Sequence, residues 1–427
     1  MSEQSSFVLD DFASFKIRAL RWAQQFEYNL CLDNHFQLSP YQETEFLLAV
    51  DALNLLSLKE EDNQFDLFNA FQEKAKSSIF GYFSYDLKNE LERLESNNPD
   101  QLNLASCFFF EPRYLLTFKD GKCTINRSTL EALNILDQIN SFKDDSPTDA
   151  KLSIVWKSRV AKESYIENVK NIKQDIEEGT VYELNYCREL YAENVKLSAV
   201  GSFLQINEQA KAPFSAFLKM GNQYALSFSP ERFVQLKGDR LLSQPIKGTI
   251  KKTNDVLQNE QLKIQLLNDE KERAENVMIV DLVRNDFARS AVTGSVKVEE
   301  LFGIYEFENI IQMISTVSAV KRPELSALEA LKNAYPMGSM TGAPKIKAMQ
   351  LIDRYEVSKR GLYSGTIGYM RPNGDFDFSV VIRTLIYNAT SGYLSFHVGG
   401  AITYDSDPEK EWEETEIKAK SILQFLG

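Results

Sequence analysis

Arg232-Phe233-Val234-Gln235-Leu236, Lys237-Gly238-Asp239, Arg240-Leu241-Leu242-Ser243-Gln244 and Pro245-Ile246-Lys247-Gly248-Thr249 run consecutively in this chain. Two apolar-rich runs flanking a Gly-Asp turn predict a β-hairpin. Its exit strand carries one lysine between a rigid proline and a flexible glycine. If the hairpin folds symmetrically about Asp239, the residue facing Lys247 is Glu231, and directly opposed side chains have Cβ atoms ~4.5–5.5 Å apart. A free lysine titrates at ~10.4, so a nucleophilic Lys247 requires partial burial and a neighbour that manages its proton. Glu231 could be that neighbour or could act on a substrate hydroxyl. A cross-strand ion pair of little energetic weight is equally compatible with the two residues.

The 427 residues suffice for one elaborate domain or two. A formal charge of −13 and a pI near 5.0 argue against a general nucleic-acid or anionic-membrane surface. A small anionic substrate would need a local basic pocket. Met1-Ser2-Glu3-Gln4-Ser5-Ser6 lacks a basic, then apolar, leader, and no apolar run reaches the ~18 residues of a membrane span. The expected location is therefore cytoplasmic. Cys31, Cys107, Cys123 and Cys187 show no close metal-ligand pair and read as reduced core residues. With His35 and His397 as the only histidines, proton transfer falls mainly to Glu, Asp, Lys or Tyr.

The polar stretch Asn140–Asp149 marks a boundary between an N-terminal region, 1–145, and a second domain, 150–427. Beyond it, Ser164 and Glu167 form a candidate capping box. Tyr165, Val169, Ile172 and Ile176 then recur at helical spacing until Gly179. Val181–Tyr186 follows as a strand. Irregular alternation of strands and helices, with hairpins in place of repeated βαβ units, predicts an α+β class.

Acidic residues gather in two places. Asp407-Pro408-Glu409 starts a helix running through Leu423, with Glu411, Glu414 and Lys418 on one face. Two carboxylates one turn apart can hold a divalent cation, although a solvated Glu-Glu-Lys stripe has the same spacing. In Lys271–Asp281, Glu275 lies where charge gives way to an apolar run, as a partly buried ligand would. Oxygen donors in small number suit Mg²⁺ better than Ca²⁺. Small residues in Met337–Lys345, Ser364–Thr366 and Gly399-Gly400-Ala401 offer backbone donors to an anion. Arg383 is a candidate for bidentate carboxylate binding, with a cross-sheet ion pair as its alternative.

In this order the motifs resemble the chorismate-utilising enzymes, which include anthranilate synthase component I, aminodeoxychorismate synthase component I and the isochorismate and salicylate synthases. The resemblance is strong over about residues 150–425, while Phe80–Leu87 is similar to the family's variable N-terminal region. It implies antiparallel sheets packed as a sandwich with helices outside. It further implies that Glu275, Glu411 and Glu414 hold Mg²⁺ against the ring carboxylate of chorismate. Lys418 and the Gly399, Gly400 and Ala401 backbone would lie nearby. Tyr363 and Arg383 match positions for the enolpyruvyl carboxylate, and Ser339 and Thr249 match further substrate contacts.

Pro-Ile-Lys-Gly-Thr resembles the branch that aminates C4, whereas anthranilate synthases typically carry Ala at the position of Lys247. Lys247 would attack C2, Glu231 would assist departure of the C4 hydroxyl, and ammonia would enter at C4. Isochorismate-forming members activate water with a different lysine, and Glu183 stands at that position. Gln312 replaces a histidine associated with pyruvate elimination, and Ala401 replaces a usual Gly. No Cys-His-Glu amidotransferase module fits in the chain, so a separate glutaminase would deliver the ammonia. The product would lead to 4-aminobenzoate and folate. The alternatives are anthranilate synthesis for tryptophan and a non-catalytic chorismate-binding homologue.

Overall fold

The computed structural model describes residues 4–35, 41, 44–59, 63–92, 94–142 and 154–426. Every strand pairing among them is antiparallel, and the ladders join twenty strands. Successive residues of one strand enter different clusters. Cys31, Leu48, Phe217, Leu226 and Leu385 pack with the helices Phe12–Ala23, Thr129–Ser141 and Ala199–Ala210. Phe83, Phe109, Phe378 and Val317 pack with Gln64–Lys74, Glu270–Ala288 and Ala327–Ala334. Between these outer layers lie Leu30, Ala49, Tyr82, Phe108, Leu218, Ala225 and Ile367. Period-2 alternation thus makes two sheets face each other across a shared core, with helices outside. This is the α+β sandwich expected of the chain.

The two sheets share a corner. Strands Phe46–Leu58 and Cys107–Lys119 pair along their length, with a register irregularity between Ala52 and Asn54. One half of this ribbon packs in the first outer cluster and the other half in the second. A bulge lets a strand turn from one sheet into the next. Early and late segments also share ladders: Tyr28–Asp33 pairs with Phe214–Met220, and Ile79–Phe83 with Thr366–Met370. The expected boundary falls largely within 143–153, outside the described residues.

Local expectations fare unevenly. The hairpin forms, but Lys237 pairs with Arg240 around a two-residue Gly238-Asp239 loop, and the register slips between Arg232 and Gln235. The symmetric ladder opposing Glu231 to Lys247 is therefore corrected. Pairing ends at Arg232 with Gln244, and Ile246–Lys251 continues on the neighbouring strand Ile310–Val320. The helix containing Tyr165, Val169 and Ile172 spans Lys162–Glu177 with Ala161 as its cap, so Ser164 lies inside it and forms no capping box. The following strand runs Glu183–Ala192, starting later than expected. The last helix, Pro408–Leu423, starts as read, with Asp407 accepting from Glu409 N and Lys410 N. All four cysteines are free and buried. Among the described residues no helix is long and apolar enough to cross a membrane.

Candidate active site

Gly248 has φ +83°, and the ladder register shifts between Ile246 and Thr249. A side chain there would be strained, and its Cβ would meet Leu266 Cδ1 at 2.8 Å. The neighbouring Lys247 lies between two carboxylates. Its Nζ is 3.1 Å from Glu183 Oε1 and 3.4 Å from Glu275 Oε2. Burial alone would lower the lysine pKa, but the two carboxylates outweigh it and hold the amine protonated above its ordinary range. Burial raises Glu183, with Lys247 pulling it back.

Glu231 has no such direct tie to the lysine. Its Oε1 accepts a 2.7 Å hydrogen bond from Ser339 Oγ. Its backbone carbonyl accepts from Val380 N, which fixes the residue at the end of the hairpin. Burial pushes its carboxyl up to about 7, against the opposing effects of the Ser339 hydroxyl and the Lys247 charge. A carboxyl poised there can deliver a proton at neutral pH.

The remaining acids come from two helices. Glu275 shares Glu270–Ala288 with Lys271, whose Nζ is 3.7 Å from Glu275 Oε1 and 3.9 Å from Glu411 Oε1. Glu411 accepts from Ser406 Oγ at 2.7 Å, and burial followed by the Glu414 charge raises its pKa. Glu414 pairs with Lys418 at 2.6 Å; burial opposes ionisation, but Lys418 holds the carboxyl low. Lys418 also donates to the Gly399 carbonyl at 2.9 Å.

Gly399, Gly400 and Ala401 lie within strand Tyr393–Ile402, opposite Cys187, Tyr186 and Asn185. A Cβ on Gly400 would sit 3.3 Å from both Glu411 Oε2 and Glu414 Oε1. The strand therefore leaves space beside the carboxylates that any other residue would fill.

Glu275, Glu411 and Glu414 offer only oxygen donors, as Mg²⁺ prefers. Among the described residues no three acidic, His or Cys side chains already converge as a metal cage. The carboxylates stand around Lys271 instead. With Glu183 and Glu272 added, five carboxylates face the three ammonium groups of Lys247, Lys271 and Lys418. The donor set and the space at Gly400 fit a divalent cation.

Arg383 lies between strands Phe376–Val380 and Thr384–Asn388, at φ +51°. Its backbone carbonyl accepts from Phe228 N, and its guanidinium has no acidic partner among the described residues. Burial alone acts on it, lowering its pKa. A half-buried cation without a counter-ion among the described residues is prepared for an incoming anion. Tyr363 is buried, stacks on His397 with centroids 5.0 Å apart, and has its hydroxyl 3.5 Å from Cys187 Sγ. Thr249 is exposed and accepts from Gln312 Nε2 at 3.2 Å.

Sequence reasoning gave no role to Lys271, to Glu272 or to the buried pair Arg360–Glu356. The i, i+4 spacing of Lys271 and Glu275 was a usable signal. Arg360 donates to the carbonyls of Met340 and Asn185, while Glu356 accepts from Cys187 N. The pair ties the Ser339 segment to strand Glu183–Ala192, a role that spacing does not disclose.

The chain is 35% identical over 352 residues to aminodeoxychorismate synthase component 1 of Escherichia coli strain K12, covering 82% of this chain and 77% of that protein. It is 39% identical over 288 residues to the protein of the same name in Salmonella typhimurium, covering 67% of this chain and 63% of the relative, under two thirds of its length. Anthranilate synthase component I from Streptococcus pneumoniae TIGR4 superimposes with a TM-score of 0.78 at 26% identity, over 88% of this chain and 91% of the other. The model of the chorismate binding enzymes matches residues 22–424, and the chain belongs to that family.

Proposed function

We propose that the chain is component I of an aminodeoxychorismate synthase, converting chorismate and ammonia into 4-amino-4-deoxychorismate. The observation that carries this reading is the placement of Lys247 between Glu183 and Glu275, in a site where Glu231 is buried and half-ionised near neutrality. Glu275, Glu411 and Glu414 would hold Mg²⁺, which would neutralise the substrate's ring carboxylate and the charge developing as the hydroxyl leaves. Arg383 and Tyr363 would bind the second carboxylate.

Lys247 must lose a proton before its nitrogen can bond to C2 of the ring. Glu183, 3.1 Å away, is placed to receive it. Glu231 would give its proton to the C4 hydroxyl, which leaves as water. Ammonia then bonds to C4, and the lysine nitrogen departs from C2 with its bonding pair. Lys418 and Ser339 would hold the substrate and Glu231 in register. The ammonia would come from a separate glutaminase, in keeping with the name component 1 borne by the relatives.

The test is mass spectrometry with chromatography of products from purified protein, chorismate, Mg²⁺ and ammonium salt, with and without an added aminodeoxychorismate lyase. An aminated product that retains pyruvate, and that the lyase converts to 4-aminobenzoate, is expected. Anthranilate as the direct product would refute the role given to Lys247. Chorismate binding without turnover, with ammonia in excess, would refute the enzymatic reading.

A further inference from the structure

Glu231 and Ser339 also line a cavity of about 10 Å³. Its walls are mainly apolar: Phe233, Ile279, Val283, Phe287 and Met337. Such a space is at the lower limit for one water-sized molecule. Besides the Glu231–Ser339 pair, an acid reaches it, Asp286. Asp286 Oδ2 is 2.6 Å from Lys345 Nζ, which also donates to the carbonyls of Pro336 at 2.9 Å and Ala334 at 3.3 Å. Asp286, in the wall, is thus held from behind by an ammonium group on which three acceptors converge, and Ser243 is the remaining polar side chain that lines the cavity.

We propose that this cavity is the last station of ammonia on its way to the substrate carbon from which the hydroxyl departs. The inference rests on the amination reading above. In that reaction the nitrogen goes to the carbon whose hydroxyl Glu231 protonates, so ammonia must arrive at the Glu231 carboxyl. The apolar walls suit neutral ammonia and disfavour the ammonium ion. Lys345 already fills the acceptor cage and repels a second cation. The ammonia lone pair forms the new C–N bond while the lysine nitrogen takes back its own pair. The surplus proton on the new amine passes to the Glu231 carboxylate, which had given one to the departing water. The acid is thereby restored, and no further reactant is required.

Val283 is the residue to enlarge, since it lines the cavity and lies outside the carboxylate cluster. Steady-state kinetics of the full chain with ammonium salt as the nitrogen source, at one fixed pH, should show for Val283→Phe a KM for ammonia raised by about tenfold or more. The KM for chorismate should stay within about twofold. An unchanged ammonia KM in a folded Val283→Phe protein overturns the proposal.

Should that variant fail to fold, Val283→Ala decides. Widening the cavity should raise use of methylamine relative to ammonia by about tenfold, the weight of one methyl group in a fitted apolar space. An unaltered ratio overturns the proposal. The two readings fail separately. Anthranilate as the product would remove C4 amination, yet the ammonia KM of the variants would still report on the cavity.

Discussion

Replacing Glu231 by Gln separates what this residue does for catalysis from what it costs the fold. The amide keeps the shape of the neutral acid, its carbonyl can still accept from Ser339 Oγ, and its NH₂ replaces the carboxyl O–H. The side chain is 6% exposed, so little solvent screens the effect. Its carboxyl is moved from an ordinary 4.5 to about 7. The folded protein therefore keeps a proton that the unfolded chain releases, and stability falls as pH rises between those values. Linkage gives a penalty of about 1 kcal/mol at pH 5 that grows to about 3 kcal/mol at pH 8, and then levels off. Glu231→Gln removes this penalty, so the variant should be more stable than the parent at pH 8, with a much smaller advantage at pH 5. Paired denaturation curves at the two pH values measure it. The same variant should lose about 10²–10⁴-fold in the rate of hydroxyl departure. A stability difference that is equal at both pH values, or that favours the parent at pH 8, would refute the assignment of Glu231 as a carboxyl protonated by burial.

Three further outcomes follow from the same geometry. Lys247→Ala should abolish C4 amination or divert it while the protein stays folded; an unchanged yield of 4-amino-4-deoxychorismate, read by mass spectrometry, would sink the nucleophile. Arg383→Met should weaken chorismate binding by about 2–5 kcal/mol without lowering the melting temperature, because among the described residues the guanidinium has no acidic partner to abandon. Substrate affinity and a thermal melt of the same sample check both halves. Lys271→Met should tighten Mg²⁺ binding by about tenfold or more, since its ammonium competes for Glu275 and Glu411; calorimetry showing weaker binding would assign Lys271 a supporting role.

The chain's local chemistry was legible wherever one residue type decides a conformation. Asp407-Pro408 starts a helix because the aspartate caps two N–H groups and the proline needs none. Gly179, at φ +75°, follows the helix end read there. What the residues concealed are matters of register and burial. The slip between Arg232 and Gln235 leaves no turn signature, so the symmetric pairing of Glu231 with Lys247 looked sound and was not formed. Strands buried on both faces read as continuous apolar runs, which hides the period-2 alternation that separates the shared core from the outer layers. Gly399 to Ala401 read as backbone donors for an anion, and spacing does not disclose that small residues serve equally well where a strand must pass close to two carboxylates. The resemblance supplied the acidic set; it did not disclose that Lys271 stands among its members.

The charge balance around Lys247 suggests why this chemistry needs the whole cluster. A lysine paired with two buried carboxylates is a poor nucleophile, because both hold its proton in place. Removing one of them from the pairing weakens that hold without moving the lysine. Glu275 is the one able to leave, since it also belongs to the carboxylate set proposed for Mg²⁺, whereas Glu183 is buried on a central strand and pairs, among the described residues, with Lys247 alone. Occupation of the ion site would then leave Lys247 facing one carboxylate of raised pKa, the arrangement in which the proton can cross. The lysine would be activated only when ion and substrate are both in place, and an adduct should not form on the protein alone. Borohydride-independent labelling of Lys247 by chorismate, followed by intact mass, should therefore require the divalent ion; labelling of equal extent in excess chelator would refute this coupling.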